Sequence, residues 1–249
     1  NIGVDSKTKD RNFQLNNAFL NAQQRAKYLF EYIKKINLDL PEKSLLDVGC
    51  GSGGFIKFFE DNDFHAQGND PDPESVNYGL SKNLKIDLIS AEKMEYKRKF
   101  GLIIIVGSLE HVYDPNIVLE KCWEFLHEDG IIIIEGRYFP VSESFRWLNS
   151  NHHRFFTNES AQGIFIKHGF KIIRSTTDQV CGANMGRNGA GFAFGLKKQS
   201  HPRFLNTSNP KVSGKLLETL EDLEIKISPQ MILEQIKSHD EKFDIKYIE

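Results

Sequence analysis

The residues best equipped for chemistry begin at Leu45-Leu46-Asp47-Val48-Gly49-Cys50-Gly51-Ser52-Gly53-Gly54-Phe55. An apolar run passes a carboxylate and turns through glycines into a helical pattern. Such a turn offers backbone N–H groups to a nucleotide-like ligand. Glycine serves there because the chain needs positive φ and a close ligand approach. Asp47 lies just ahead of the glycines, where it would repel a pyrophosphate and attract an ammonium group. Asp70, in Gly68-Asn69-Asp70-Pro71, ends the next expected strand, and a carboxylate there accepts hydrogen bonds from ribose hydroxyls. Three histidines are candidate bases: His111 in Leu109-Glu110-His111-Val112, and His152 and His153 in Asn151-His152-His153-Arg154-Phe155-Phe156-Thr157. His111 reads as a base, an orienting residue or an imidazole that fixes its loop. His152 and His153 read as facing a reacting group or as loop structure. Arg137, Tyr138 and Arg146 suit an anionic ligand or serve as surface charges and a packed ring. Phe139, Phe145 and Trp147 wall a pocket or pack a lid.

The elements that must hold these residues alternate. Helical spacing runs from Asn17 to Ile36, with the first fourteen residues polar and frayed. Strands are expected at Ser44 to Val48, His65 to Asn69, Ile86 to Ile89, Leu102 to Val106, Ile131 to Glu135, Lys171 to Ser175 and Phe192 to Leu196. Helices fall at Phe55 to Phe59, Pro73 to Leu80, Pro115 to Leu126 and Thr157 to His168, the last ended by Gly169. The alternation predicts an α/β fold, a doubly wound and mostly parallel sheet with helices on both faces. Thr176 to Gly191 reads as a loop over a cleft. Two further helical patterns follow near Gly214 to Leu223 and Pro229 to His239. The expected organisation is a helical cap over residues 1–40, a ligand-binding domain over 41–200 and a helical appendage over 201–249.

Composition narrows the class. The chain has 249 residues, 39% hydrophobic and 11% aromatic, with a formal net charge of −2, as a folded domain with an ordinary core would have. No excess of positive charge points to nucleic acid or an anionic membrane. The apolar runs are too short to span a bilayer, and no basic-then-apolar opening predicts secretion. Cys50, Cys122 and Cys181 make neither a disulfide framework nor a zinc pattern, which fits a reduced, cytoplasmic compartment. The expected partner is a small molecule, with a homodimer through the tail as a further option.

Gly49-x-Gly51-x-x-Gly54 alone also fits a dinucleotide site. The full order does more: Asp-x-Gly-x-Gly-x-Gly, then Asp70, Ala91-Glu92, Leu-Glu-His-Val, and Asp129-Gly130 before an apolar strand. Over roughly residues 40 to 200 this order resembles the class I S-adenosylmethionine-dependent methyltransferases. The resemblance implies the Rossmann-like methyltransferase fold with seven strands, the last one inserted antiparallel. It implies S-adenosyl-L-methionine as cofactor, passed over by Gly49, Gly51 and Gly53, with Asp47 at its amino-acid end and Asp70 on its ribose. Ala91 and Glu92 would lie beside adenine, and Gly107 within Val106 to Ser108 below the methionine part. Where the family often has Asp, this chain has Ser90. Arg25 reads as a ligand for the cofactor carboxylate or as a solvated helix-face charge. Glu110-His111 matches half of a metal-binding Glu-x-x-Glu-His cluster whose first position is Gly107 here, so no metal is expected. The resemblance further implies methyl transfer to a sugar or sugar nucleotide of bacterial polysaccharide biosynthesis. An NAD(P)-dependent oxidoreductase and a non-catalytic cofactor-binding scaffold are the alternatives.

Overall fold

A computed structural model of the chain describes residues 6–137, 153–154, 156, 158–176, 180 and 190–198. The elements in chain order are α1 (Ser6–Lys35), β1 (Ser44–Val48), α2 (Gly54–Glu60), β2 (His65–Asp70), α3 (Pro73–Leu80), β3 (Ile86–Leu88), a 3-10 turn (Ala91–Lys93), β4 (Phe100–Val106), α4 (Pro115–Phe125), β5 (Leu126–Arg137), α5 (Asn158–Lys167), β6 (Phe170–Thr176) and β7 (Ala190–Lys197). Among the described residues, seven strands form one sheet in the order β3-β2-β1-β4-β5-β7-β6. β1 to β5 pair in parallel, and β7 runs antiparallel to both β5 and β6. The order reverses between β1 and β4, which opens a crevice at the carboxyl ends of those strands.

The apolar strands are buried because period-2 alternation gives each face of the sheet its own set of side chains. Leu45, Leu102, Ile104, Ile131 and Ile133 join one core with Phe19, Ala26, Leu29 and Ile33 of α1 and Phe55, Ile56 and Phe59 of α2. Leu46, Ile103, Ile105, Ile132 and Ile134 join the other, with Val118, Leu119, Cys122 and Trp123 of α4 and Phe165 of α5. Asp72 and Asp114 start α3 and α4. Each side chain accepts backbone N–H groups of the first turn and is followed by Pro at the first helical position.

Two expectations change. The frayed N-terminus gives way from Ser6 onward to the start of α1. Its partners are distant in sequence: Arg11 Nε donates to Glu74 Oε2 at 2.5 Å, Tyr78 Oη donates to Asn16 Oδ1 at 2.8 Å, and Leu15 is buried. β5 begins at Leu126, five residues before the apolar run. An irregularity between Phe100 and Leu102 lets Phe100 pair with Leu126 ahead of the regular register. The helical patterns of the tail, Thr157 and Cys181 lie outside the described residues.

Candidate active site at the carboxyl edge of the sheet

The turn after β1 is tied to its neighbours by backbone hydrogen bonds. Gly49 N and Cys50 N both donate to Asn69 O, at 2.9 and 3.0 Å. Gly49 has φ +73, and a Cβ there would come within 2.5 Å of the Ser108 Cβ. Glycine therefore lets the loop after β4 lie against the end of β1, where Ser108 Oγ donates to Val48 O at 2.8 Å. Gly51 has φ +53, and a Cβ there would meet nothing within 4 Å, so its backbone faces open space. Gly53, φ +82, is the N-cap of α2.

Asp70 holds this turn from the side. Its Oδ2 accepts from Gly51 N at 2.8 Å and its Oδ1 from Asp72 N at 2.9 Å. Burial nevertheless pushes its pKa up against those two N–H groups. Each carboxylate oxygen has two lone pairs, so Asp70 keeps acceptor capacity for a vicinal diol.

Asp47 is 2% exposed, and its Oδ2 has no hydrogen-bond partner. Burial first, and the like charge of Asp70 second, raise its pKa to about 8, with Arg25 pulling the other way. Arg25 does not neutralise it: its Nη2 lies 2.6 Å from Glu135 Oε2, the side chains being 12% and 0% exposed, and its Nε is buried without a partner. Arg25 is thus no solvated helix-face charge. α1 carries it across the strand ends to the end of β5. A buried carboxyl oxygen with no partner is costly, and a ligand ammonium group offers the missing contact. The residues present therefore fit a cofactor with an α-amino acid end and a ribose.

The loop after β4 forms the opposite rim. Gly107, φ +67, donates its N–H to Glu135 O at 2.9 Å. Glu110 is 5% exposed, and its Oε2 has no partner. His111 and His153 are exposed. His153 N donates to Glu110 O at 2.9 Å, and its ring stacks on Tyr113 with centroids 5.1 Å apart and planes at 24°. Arg154 clamps the same loop, donating to the carbonyls of Leu109 at 3.2 Å, Tyr113 at 2.7 Å and Val112. Tyr113 N donates to Glu92 Oε1 at 2.7 Å. Burial opposes the Glu92 charge, yet hydrogen bonds from the Glu92 and Tyr113 backbone and the Ser90 hydroxyl hold its pKa below the usual value. Glu92 organises two loops, and Ala91 packs into the second core. The structure thus gathers Asp47, Gly49, Gly51, Asp70, Gly107 and Glu110 at one edge, with Glu92, His111 and His153 on its rim. His152, Tyr138, Phe139, Phe145, Arg146 and Trp147 lie outside the described residues, as does the side chain of Arg137. The local pattern did not announce Glu135 or the burial of Glu110. A lone acid closing the apolar run Ile131 to Ile134 was the available signal for Glu135. Among the described residues no group of His, Cys, Asp and Glu is arranged to hold a metal ion.

A profile of the methyltransferase domain family matches residues 21–175. The chain belongs to that family. The methyltransferase domain is 24% identical over 139 residues to a tRNA U34 carboxymethyltransferase of Sulfurimonas denitrificans, a match covering 53% of this chain and 47% of the relative. The chain thus spans about half the length of the curated relatives it matches. Among solved structures, it resembles an S-adenosylmethionine-dependent methyltransferase from Clostridium acetobutylicum with TM-score 0.56 and 12% identity, over 78% of this chain and all of that one. It also resembles the plantazolicin methyltransferase BpumL in complex with SAH, with TM-score 0.56 and 13% identity, over 79% and 92% of the two chains. The fold and membership of the methyltransferase domain family therefore stand as the sequence implied. No described helix is long and apolar enough to cross a membrane.

Proposed function

We propose that this chain transfers a methyl group from S-adenosylmethionine to a hydroxyl of a small acceptor, a sugar or sugar nucleotide. The observation that carries the reading is the open glycine turn set between two carboxyls, the buried Asp47 with an unpartnered oxygen and the half-buried Asp70 hydrogen-bonded to Gly51 N. Asp47 would hold the amino-acid end, Asp70 the ribose, and the turn over Gly49, Gly51 and Gly53 the space between, with Ala91, Glu92 and Gly107 lining the remainder. When bound, the cofactor supplies a methyl group already activated on a sulfonium. The protein's share is to orient the acceptor and to receive the hydroxyl hydrogen. Glu110 and His111 occupy the loop beside the turn, with His153 and the adjoining His152 as the other candidates. A net charge of −2 supplies no basic excess for a polyanion, which favours a small acceptor.

A tRNA nucleoside is the second reading. It rests on the name of the Sulfurimonas relative and on the exposed Tyr113–His153 stack, a surface suited to a base. The test is mass spectrometry after incubation with S-adenosylmethionine and either a panel of nucleoside diphosphate sugars or unmodified tRNA. One added methyl on a sugar nucleotide supports the first reading. Modification of tRNA replaces it with the second, and a protein that binds the cofactor but alters neither rejects both.

A further inference from the structure

The Asp47 carboxyl is the anomaly of the site. It is 2% exposed, and one of its oxygens has no partner. Among the described residues, few charges surround it. On β2 there is Asp70, a like charge. In the turn there is Cys50, a buried thiol whose pKa burial and the neighbouring acids raise further. On β4 the register partner is Ile104, which carries no charge. From α1 comes Arg25, and its guanidinium is held at 2.6 Å by Glu135 of β5. Two buried acids thus share one cation, and the ion pair assigns that cation to Glu135.

We propose that Asp47 is an uncharged acid until the cofactor enters, and that it then ionises against the ligand's ammonium group, expelling one proton to solvent. The proposal rests on the methyltransferase reading of the site. Asp47 thereby becomes the residue that distinguishes ligands with an α-ammonium group from those that carry only the nucleoside. The balance is simple: the carboxyl O–H bond breaks, its proton goes to the buffer, and the carboxylate pairs with an ammonium that keeps all its protons. The direction agrees with the raised pKa of Asp47. Affinity for such ligands then falls about tenfold per pH unit on acidification below the Asp47 pKa. Asp70 is another source of a proton in the site. It faces the ribose, which nucleoside ligands also carry, so the two sources separate by ligand.

The test is titration calorimetry of the full chain at pH 6.5 in buffers of different ionisation enthalpy. The probes are S-adenosylhomocysteine and 5′-methylthioadenosine, which lacks the amino-acid end. The expected result is a heat for S-adenosylhomocysteine that varies with buffer by about one proton released, and a heat for methylthioadenosine that does not vary. Asp47→Asn should bind S-adenosylhomocysteine more weakly and without the buffer dependence. Binding by the native chain with no buffer dependence overturns the proposal and leaves the cofactor reading intact. So does proton release with methylthioadenosine, or release that persists in Asp47→Asn. No heat with either ligand overturns both the proposal and the cofactor reading.

Discussion

At the scale of single residues, the site is governed by how the acids at the strand ends share too few partners. Arg25 and Glu135 make a compensated pair, whereas Asp47 and Glu110 each keep a buried oxygen without a partner. Removing one partner of a buried pair costs about 3–5 kcal/mol. Arg25→Ala should lose stability on that scale in urea unfolding, and a change within about 0.5 kcal/mol, typical of surface substitutions, would deny the pair its structural weight. Asp47 gives a pH signature. Its carboxyl titrates at 3.8 ordinarily and at about 8 in the folded chain, so the folded state holds the proton more tightly. The stability this contributes is complete below pH 3.8 and is lost as pH rises towards 8, by up to about 1.4 kcal/mol per unit. Stability curves of the native chain and Asp47→Asn should therefore diverge across that window, and parallel curves would show that Asp47 ionises freely. Glu110→Gln keeps shape and removes the acid. It should lower turnover at least about tenfold, within the usual weight of a general base, while S-adenosylhomocysteine affinity stays unchanged. Equal turnover would move the hydroxyl hydrogen to a histidine.

At the scale of elements, the glycine turn works because it lets two loops touch. Gly49→Ala would put a Cβ at φ +73 and within 2.5 Å of Ser108, forcing apart the contact between Ser108 and Val48. The expected outcome is a cofactor affinity reduced more than about tenfold with the helical signal retained, since the clash sits in the loops and not in the core. An unchanged affinity would show that the two loops can separate without harm to the site. This turn was legible in the sequence because glycine, carboxylate and strand stand next to each other. Strands such as Ile131 to Ile134 were legible because an unbroken β-branched run fits burial on both faces. The start of α1 was not, because Ser6 to Asn17 gains its anchors from α3, more than sixty residues away. The Arg25–Glu135 pair was hidden for the same reason, with 110 residues between the partners. Pairing across such distances depends on the finished sheet.

At the scale of the whole molecule, the sheet order puts the ends of β1, β2 and β4 side by side and makes one edge the place for a ligand. The division into a helical cap over 1–40, a catalytic domain over 41–200 and an appendage over 201–249 is our proposal for the chain's organisation. α1 contributes Phe19, Ala26, Leu29 and Ile33 to the core and Arg25 to the strand ends, so the cap and the site are coupled through one helix. The central claim is that the turn after Val48 receives the adenosyl group with Asp70 on its ribose. Calorimetric titration of S-adenosylmethionine into the native chain and into Asp70→Ala tests it most directly. The account predicts saturable binding by the native chain and an affinity at least about tenfold weaker in the variant, the loss of a hydrogen-bonded charged contact. Native binding that Asp70→Ala leaves unchanged, or no binding by either chain, would contradict it.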